Sequence, residues 1–207
     1  MDHALSFFDN IEQYPIVYQD KARNYTAYQA LETGGYITIA DWYVPGFTEE
    51  HWNKWKADPA GINDLMNERI TAKLVNSTDG YKTYYYKMRM PLFISTRYLF
   101  TTFYYTDEDK ETGWRSFIDS SDGNDAFIAE HKSEIGKDTA GYMHFNLAQS
   151  RPYDGGMQLR LVAKLDFGGY LPGIVKKFVS AKLANFPVQM ADYLMKGEIP
   201  PDIFFGL

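Results

Sequence analysis

Histidine, cysteine and serine are the residues most able to support catalysis or metal binding, and their spacing limits the chemistry available here. The four histidines, His3, His51, His131 and His144, are scattered and never adopt the His-x-x-x-His spacing of a helical metal site. The chain has no cysteine, which excludes disulfides, thiolate metal sites and a thiol nucleophile. No Gly-x-Ser-x-Gly motif is present, and Gly155-Gly156 is typical of a hairpin rather than a phosphate-binding loop. The sequence therefore predicts no catalytic residue, no metal and no cofactor.

Composition and charge narrow the class of protein further. Aromatic residues make up 17% of the chain, which predicts a domain with a large inner surface, or an all-β core. The formal net charge of −6, without a long block of either sign, disfavours nucleic acid as a partner. The first five residues lack the features of a signal peptide, and no apolar stretch approaches the roughly 20 residues that span a bilayer. We expect one soluble, cytoplasmic domain covering residues 1–207.

Alternation of apolar and polar residues with a period of two predicts an antiparallel sheet. A first hairpin is expected around Gly34-Gly35, and a second around Thr78-Asp79-Gly80. The segment 122–138 is polar and receives no assignment. The predicted strands are Tyr25–Leu31, Tyr36–Val44, Ile70–Ser77, Tyr81–Met90, Arg97–Thr106, Gly113–Ser120, Tyr142–Gln149 and Met157–Phe167, with a loop at 151–156.

Helical patterns lie before, within and after these strands. Residues 5–18 predict a short docking helix, and residues 48–58 predict a helix with an acidic first turn. The last predicted helix, residues 171–196, has apolar residues at helical spacing. Because proline lacks an N–H, we expect a bend near Asn185 and Pro187 at the start of a second helical piece.

Two motifs in this chain resemble the START domain family, the lipid-transfer family related to steroidogenic acute regulatory protein. The first, Lys-Met-Arg-Met-Pro-Leu-Phe-Ile-Ser-Thr-Arg-Tyr-Leu at 87–99, is similar to the family's strand, proline-containing loop and Arg-Asp-aromatic strand start. Tyr98 replaces the family's acidic residue. The second, Lys-Leu-Asp-Phe-Gly-Gly-Tyr-Leu-Pro at 164–172, resembles the family's last strand, Asp-x-x-Gly-x-x-Pro turn and C-terminal helix. The resemblance extends from about Tyr25 to Leu194.

The resemblance implies an α+β helix-grip fold. In this fold a curved antiparallel β-sheet wraps around a long C-terminal helix, and an internal hydrophobic tunnel between them holds one lipid. Within the second motif, the carboxylate of Asp166 is expected to cap the following turn, and Gly168-Gly169 to let the chain turn sharply. Pro172 fits the first turn of the helix.

Strand parity and the implied fold together select candidates for the tunnel wall. Lys87 and Arg89 share a face with Tyr85, and this charged face is expected to meet solvent, so the other face points inward. On the next strand parity leaves both faces open, and the resemblance favours the face of Leu99. The lipid-binding candidates are Tyr84, Tyr86, Met88, Arg97, Leu99, Thr101, Phe103, Phe145, Arg160, Leu171, Val175, Phe178 and Val179, with Leu159 and Leu161 as further floor residues.

Each candidate has an alternative structural role. An apolar member is equally explained as an ordinary core residue. Arg97 and Arg160 are the cations able to point inward, where either could meet a phosphate, carboxylate or hydroxyl, and a structural ion pair is the alternative for both.

Headgroup recognition is indicated only in part by the resemblance. Family members that hold choline use an aromatic cage and an arginine. Tyr86 falls at one cage position, but Leu99 occupies another, and residues 63–67 lack the arginine. Phosphatidylcholine is therefore not the expected ligand.

The loop Leu92-Phe93-Ile94 after Pro91 is the candidate for docking on a membrane. Three large apolar side chains at an exposed tip are able to enter a membrane interface, and packing under the C-terminal helix is the alternative. The expected partners are one lipid ligand and, transiently, a membrane surface. The expected oligomeric state is a monomer.

The predicted function is binding of one lipid molecule in an internal cavity and its transfer between membranes. One alternative is a cyclase-like or hydrolase-like helix-grip enzyme that uses His144 with Tyr142 or Arg160 as an acid–base set. Another is a lipid-gated interaction module in which the apolar tail Ile203-Phe204-Phe205 engages a partner.

Overall fold

The computed structural model of the chain describes residues 1–32, 35–66, 69–90, 94–106, 108–171 and 173–197, without the side chains of residues 63–66 and 173–182. The strands are β1 Ile16–Asp20, β2 Tyr25–Glu32, β3 Gly35–Pro45, β4 Ile70–Ser77, β5 Tyr81–Met88, β6 Arg97–Tyr105, β7 Arg115–Ser120, β8 Thr139–Ala140, β9 Tyr142–Tyr153 and β10 Gly156–Asp166. The helices are α1 Asp2–Ser6, α2 Glu49–Ala57, α3 Pro59–Met66, α4 Asp125–Glu130, α5 Lys132–Ile135 and α6 Gly173–Lys196, with a short 3₁₀ helix at Ile11–Gln13.

One antiparallel sheet carries the fold. Its strand order is β1-β2-β3-β10-β9-β7-β6-β5-β4, and β8 adds a short parallel pair to β6. The sheet is not closed, since β1 and β4 form its two edges. The C-terminal helix α6 packs against β1, β2, β3 and α2. The predicted α+β architecture of an antiparallel sheet with a long C-terminal helix is confirmed.

Both faces of the sheet are covered, because successive side chains of a strand point to opposite sides. On the inner face, Leu159 and Leu161 of β10 belong to the main core beneath α6. On the outer face, Val162 of the same strand belongs to a second core, which Ala4 and Phe7 of the N-terminal segment complete. This double burial explains why the strand sequences are apolar on both sides.

The unassigned segment 122–138 forms the second cover of the outer face. It contains α4 and α5, and Ile135 packs there against Tyr85 and Phe100. Lys87 forms an ion pair with Asp138, with 2.8 Å between Nζ and Oδ2. The expectation that the face of Tyr85 meets solvent is therefore wrong for Tyr85, which α5 buries.

Three local expectations are corrected. Residues 5–18 do not form one helix, because Pro15 ends helical structure and the β-branched Ile16 and Val17 begin β1. The expected loop at 151–156 is shorter, since β9 continues to Tyr153 before a turn at Asp154-Gly155. Finally, α6 is continuous through Pro187 instead of restarting there.

Packing explains why α6 tolerates a proline. The side chains of Val188, Ala191 and Leu194 belong to the main core, so burial of this face stabilises the helix despite one missing backbone hydrogen bond. One turn before the proline, the hydroxyl of Tyr25 on β2 donates to the backbone carbonyl of Ala184. This contact fixes the second half of the helix against the sheet.

Candidate functional site

A cavity of about 250 Å³ lies between the inner face of the sheet and α6. Seven of the predicted lining residues are on its wall: Tyr86, Met88, Leu99, Thr101, Phe103, Leu161 and Leu171. The parity chosen for β5 and β6 is therefore the one the structure has. That these side chains contact a ligand remains a prediction.

One end of the cavity is closed by aromatic rings. Trp55 of α2 meets Phe117 of β7 edge to face, with 4.5 Å between ring centroids, and both rings line the cavity. Trp52 packs on the same two rings from behind. These residues were not among the lining candidates, since nothing in the sequence shows that α2 folds over β7.

Tyr84 points inward but lies in the packed core beside the cavity. Its ring meets that of Phe103 edge to face at 5.5 Å, and it is not among the lining residues. Burial raises the pKa of its hydroxyl to about 12. The structure therefore gives Tyr84 a role in supporting the wall.

Phe145 lies on the outer face of the sheet, because it alternates with the inward Asn146 and shares its face with Leu147. The register of β9 against β10 shifts between Lys164, which pairs with Phe145, and Leu165, which pairs with Met143. The extra residue reverses the parity of the strand before Phe145, so that Met143 faces the cavity as Asn146 does. The structure does not bring Phe145 to the cavity floor, and a bulge of this kind leaves no mark in the period-two pattern.

Arg97 stabilises the corner between β10 and α6 instead of facing the cavity. It is 1% exposed, and its guanidinium donates to the carbonyl oxygens of Phe167 at 2.8 Å and Gly168 at 3.3 Å. The carboxylate of Asp166 accepts from the backbone N–H of Gly168 at 2.8 Å, as predicted for this turn. Both interactions hold the corner that starts the C-terminal helix.

Arg160 lies on the outer face of β10, because it alternates with the inward Leu159 and Leu161. Its Nε is 2.7 Å from a carboxylate oxygen of Asp41, and its guanidinium stacks on the ring of Trp114 at 4.5 Å. The alternative role considered for Arg160, a structural ion pair, is the one the structure has.

The helix side of the cavity is described only in its second half. Leu183, Phe186 and Pro187 line it there, and none of the three was among the predicted lining residues. The side chains of the predicted residues Val175, Phe178 and Val179 lie outside the described part of the chain, as do Leu92 and Phe93 of the predicted docking loop. Ile94 is described, and it packs half-buried against the main core.

A buried carboxyl group is the feature of the cavity that sequence reasoning missed. Asp119 of β7 is 2% exposed and lines the cavity, and Asn146 Nδ2 donates to its Oδ1 at 2.7 Å. Burial raises the pKa of Asp119 to about 8, and the hydrogen bond from Asn146 offsets this only in part. One signal was available in the sequence: Asp119 lies two residues after Phe117 on the same strand, so the two side chains share one face of the sheet.

The acid–base set considered for an enzyme is not at the cavity. His144 lies beside Tyr142, with 5.0 Å between their rings, and the hydroxyl of Tyr142 donates to Asp122. Arg160 is on the outer face, as described above. Among the described residues, no group of three or more His, Cys, Asp or Glu side chains is arranged to hold a metal ion. No helix in the described part of the chain is long and apolar enough to cross a membrane.

The fold recurs in solved structures, although no protein-family model and no curated protein matches this sequence. Human StAR-related lipid transfer protein 5 superposes with a TM-score of 0.70 at 16% identity, covering 95% of this chain and 96% of that chain. Human STARD10 gives a TM-score of 0.69 at 13% identity, covering 94% and 79%. A fragment of the STAR-related lipid transfer protein from Xanthomonas axonopodis gives 0.64 at 12% identity, covering 89% and 97%.

At these identities the likeness concerns the fold, and it spans nearly the whole chain in each case. The predicted resemblance is thereby confirmed at the level of architecture. The chain has the helix-grip fold of START domains, at 12–16% identity to these three structures.

Proposed function

We propose that this chain binds one lipid molecule in the cavity between the sheet and α6 and carries it between membranes. The observation that supports this is a mainly apolar cavity between the sheet and the C-terminal helix. Each buried methylene contributes about 0.8 kcal/mol, so leaving a chain of roughly 16 methylenes in water costs on the order of 13 kcal/mol. An enclosed apolar cavity offsets that cost, whereas a surface groove does so only in part.

The size of the cavity favours a compact ligand. Its volume of about 250 Å³ is close to the lower end of the roughly 300–1,000 Å³ that small-molecule sites occupy. A single acyl chain or a rigid ring system fits this volume better than a phospholipid with two chains.

Transfer also requires transient contact with a membrane, which we propose occurs at the end of the sheet that carries the β10–α6 corner. Tyr36 at this end lines the cavity and is 43% exposed, and Tyr170 on the corner is 86% exposed. Tyrosine suits such a surface, since its ring prefers hydrocarbon and its hydroxyl prefers water. The loop Leu92-Phe93-Ile94 remains part of this proposal, as do a single domain and a monomeric state.

A second candidate function is catalysis on a small apolar substrate. A buried carboxyl with a raised pKa inside a cavity is a recurrent feature of enzyme sites, and Asp119 has both properties. Acid–base catalysis usually needs a second titrating group, however, and the described cavity wall contains no His, Lys or Arg, while its other carboxyl, Asp166, accepts a hydrogen bond from Gly168 at the β10–α6 corner. Binding without chemistry is therefore the function we favour.

Filling the cavity is expected to abolish lipid binding without unfolding the protein. Ala163 lines the cavity on β10, so the ring of Ala163→Phe enters space that a ligand would occupy. We expect capture of radiolabelled hexadecanol and cholesterol from phosphatidylcholine vesicles to weaken at least about tenfold, because the ring and the lipid compete for one volume.

The matched control is Ala129→Phe, which adds the same ring on the exposed face of α4. This variant should bind like the wild type, and thermal unfolding of both variants reports whether they are folded. Equal binding by a folded Ala163→Phe variant would contradict the proposed site. Recovery of a chemically altered lipid after incubation would instead favour the enzyme.

A further inference from the structure

A row of cross-strand partners brings polar groups together on the apolar wall. Phe103 pairs with Asp119, Asp119 with Asn146, Asn146 with Ala163, and Ala163 with Thr38. All five residues line the cavity. Because paired side chains on one face of a sheet are direct neighbours, Asp119 and Asn146 form one polar patch in the middle of the row. The small side chain of Ala163 leaves space beside it.

This patch has unused hydrogen-bonding capacity. Asn146 Nδ2 donates to Asp119 Oδ1 at 2.7 Å, and the described residues supply no other hydrogen-bond partner to Asp119. Asn146 Oδ1 is buried and unpaired among the described residues, and so is Thr101 Oγ1 on the adjoining strand β6. Buried polar atoms are nearly always paired in native proteins, so these unpaired atoms, on residues that line a cavity, indicate a missing partner.

The charges around the patch decide which partner fits. The described wall holds no Lys, Arg or His to balance an anion. Burial raises the pKa of Asp119 to about 8, so at neutral pH its carboxyl keeps a proton and is able to donate one hydrogen bond. Asn146 Oδ1 is able to accept one. A ligand group that accepts one hydrogen bond and donates another satisfies both residues.

We infer that Asp119 and Asn146 recognise the polar end of the bound lipid, and that this end is an uncharged hydroxyl. The inference rests on the proposed lipid binding and adds the chemical class of the ligand. An anionic head at this position would lose its hydration beside a carboxyl, without a cation in the described wall to compensate. The hydroxyl of Thr101 is a third group within the same cavity for a ligand oxygen to meet.

Matched pairs of lipids that differ only in the head test this inference. Hexadecanol is compared with hexadecyl sulfate, and cholesterol with cholesteryl sulfate, each titrated into the delipidated full-length chain at neutral pH. Each sulfate keeps the apolar body and carries a permanent negative charge. We expect the wild type to bind at least one alcohol, and to bind it at least about tenfold more tightly than its sulfate.

Two variants connect the preference to the carboxyl. Asp119→Asn stays uncharged and donates from its amide, so it should bind the alcohol within about threefold of the wild type. Asp119→Leu removes the hydrogen-bond donor and should weaken binding of the alcohol at least about tenfold. Circular dichroism verifies that both variants are folded, and the wild-type comparison needs no variant at all.

The outcomes separate the two proposals. If the wild type binds none of the four lipids, the proposed lipid binding is wrong, and this inference falls with it. If the wild type binds a sulfate as tightly as the matching alcohol, lipid binding stands and the inference is overturned. The same conclusion follows if a folded Asp119→Leu variant binds the alcohol as tightly as the wild type does.

Discussion

Replacing Gly168 with alanine is expected to lower the free energy of unfolding by about 3 kcal/mol or more. Gly168 has a φ of +64°, and a Cβ built there would lie 1.7 Å from the carbonyl oxygen of Ala140. The positive φ costs about 1–2 kcal/mol for an L-residue. The close approach of the Cβ forces β8 and the β10–α6 corner apart, because the atom that it meets belongs to the backbone of β8. Urea denaturation followed by tryptophan fluorescence measures the difference.

Gly113→Ala is the matched control for this prediction. Gly113 has a similar φ of +71°, but no atom lies within 4 Å of a Cβ built there. Its cost should therefore be the backbone strain alone, about 1 kcal/mol. Equal costs at the two positions would show that the close contact of the corner with β8 contributes nothing.

Replacing Asp119 with asparagine is expected to stabilise the protein increasingly as pH rises. The pKa of Asp119 is raised from 3.8 to about 8 by burial, so between these values the folded state holds a proton that the unfolded state has released. The stability that this proton contributes is fully present below pH 3.8, the pKa in the unfolded state. It is lost progressively as the pH rises to about 8, the pKa in the folded state. The slope is about 1.4 kcal/mol per pH unit, or about 3 kcal/mol between pH 5 and pH 7.

Asparagine keeps the size and the hydrogen bonding of a neutral carboxyl but does not titrate. The difference in unfolding free energy between variant and wild type therefore isolates Asp119 from every other group. It should favour the variant by about 3 kcal/mol more at pH 7 than at pH 5. A difference that does not change with pH would mean that Asp119 is ionised in the folded state.

The sheet was predictable because its signal is local. Alternation along β5, β6 and β10 marks strands from the sequence alone, and the turn after Asp166 follows from the glycines and the proline behind it. The N-terminal strand β1 was missed because Ile16 and Val17 suit a buried helix face as well as a strand. The helices over Tyr85 were missed because a polar segment such as 122–138 gives little hydrophobic periodicity.

The candidate site was only partly predictable because it depends on long-range packing. Tyr86 follows from parity, which is a property of each strand by itself, whereas parity left both faces of β6 open and the resemblance selected the face of Leu99. Phe145 was misplaced because both faces of β9 are buried, so an apolar side chain there suits either face. The pairing of Asp119 with Asn146 joins two strands that are far apart in sequence, and only the register of β7 and β9 reveals it.

The most direct test of the proposed lipid binding is native mass spectrometry of the chain purified from cells, followed by extraction and identification of any bound lipid. We predict one lipid per chain, compact and with an uncharged hydroxyl, whose loss restores the mass of the bare polypeptide. A chain that carries no lipid, even after incubation with a broad panel that includes the neutral alcohols named above, would contradict the proposed function.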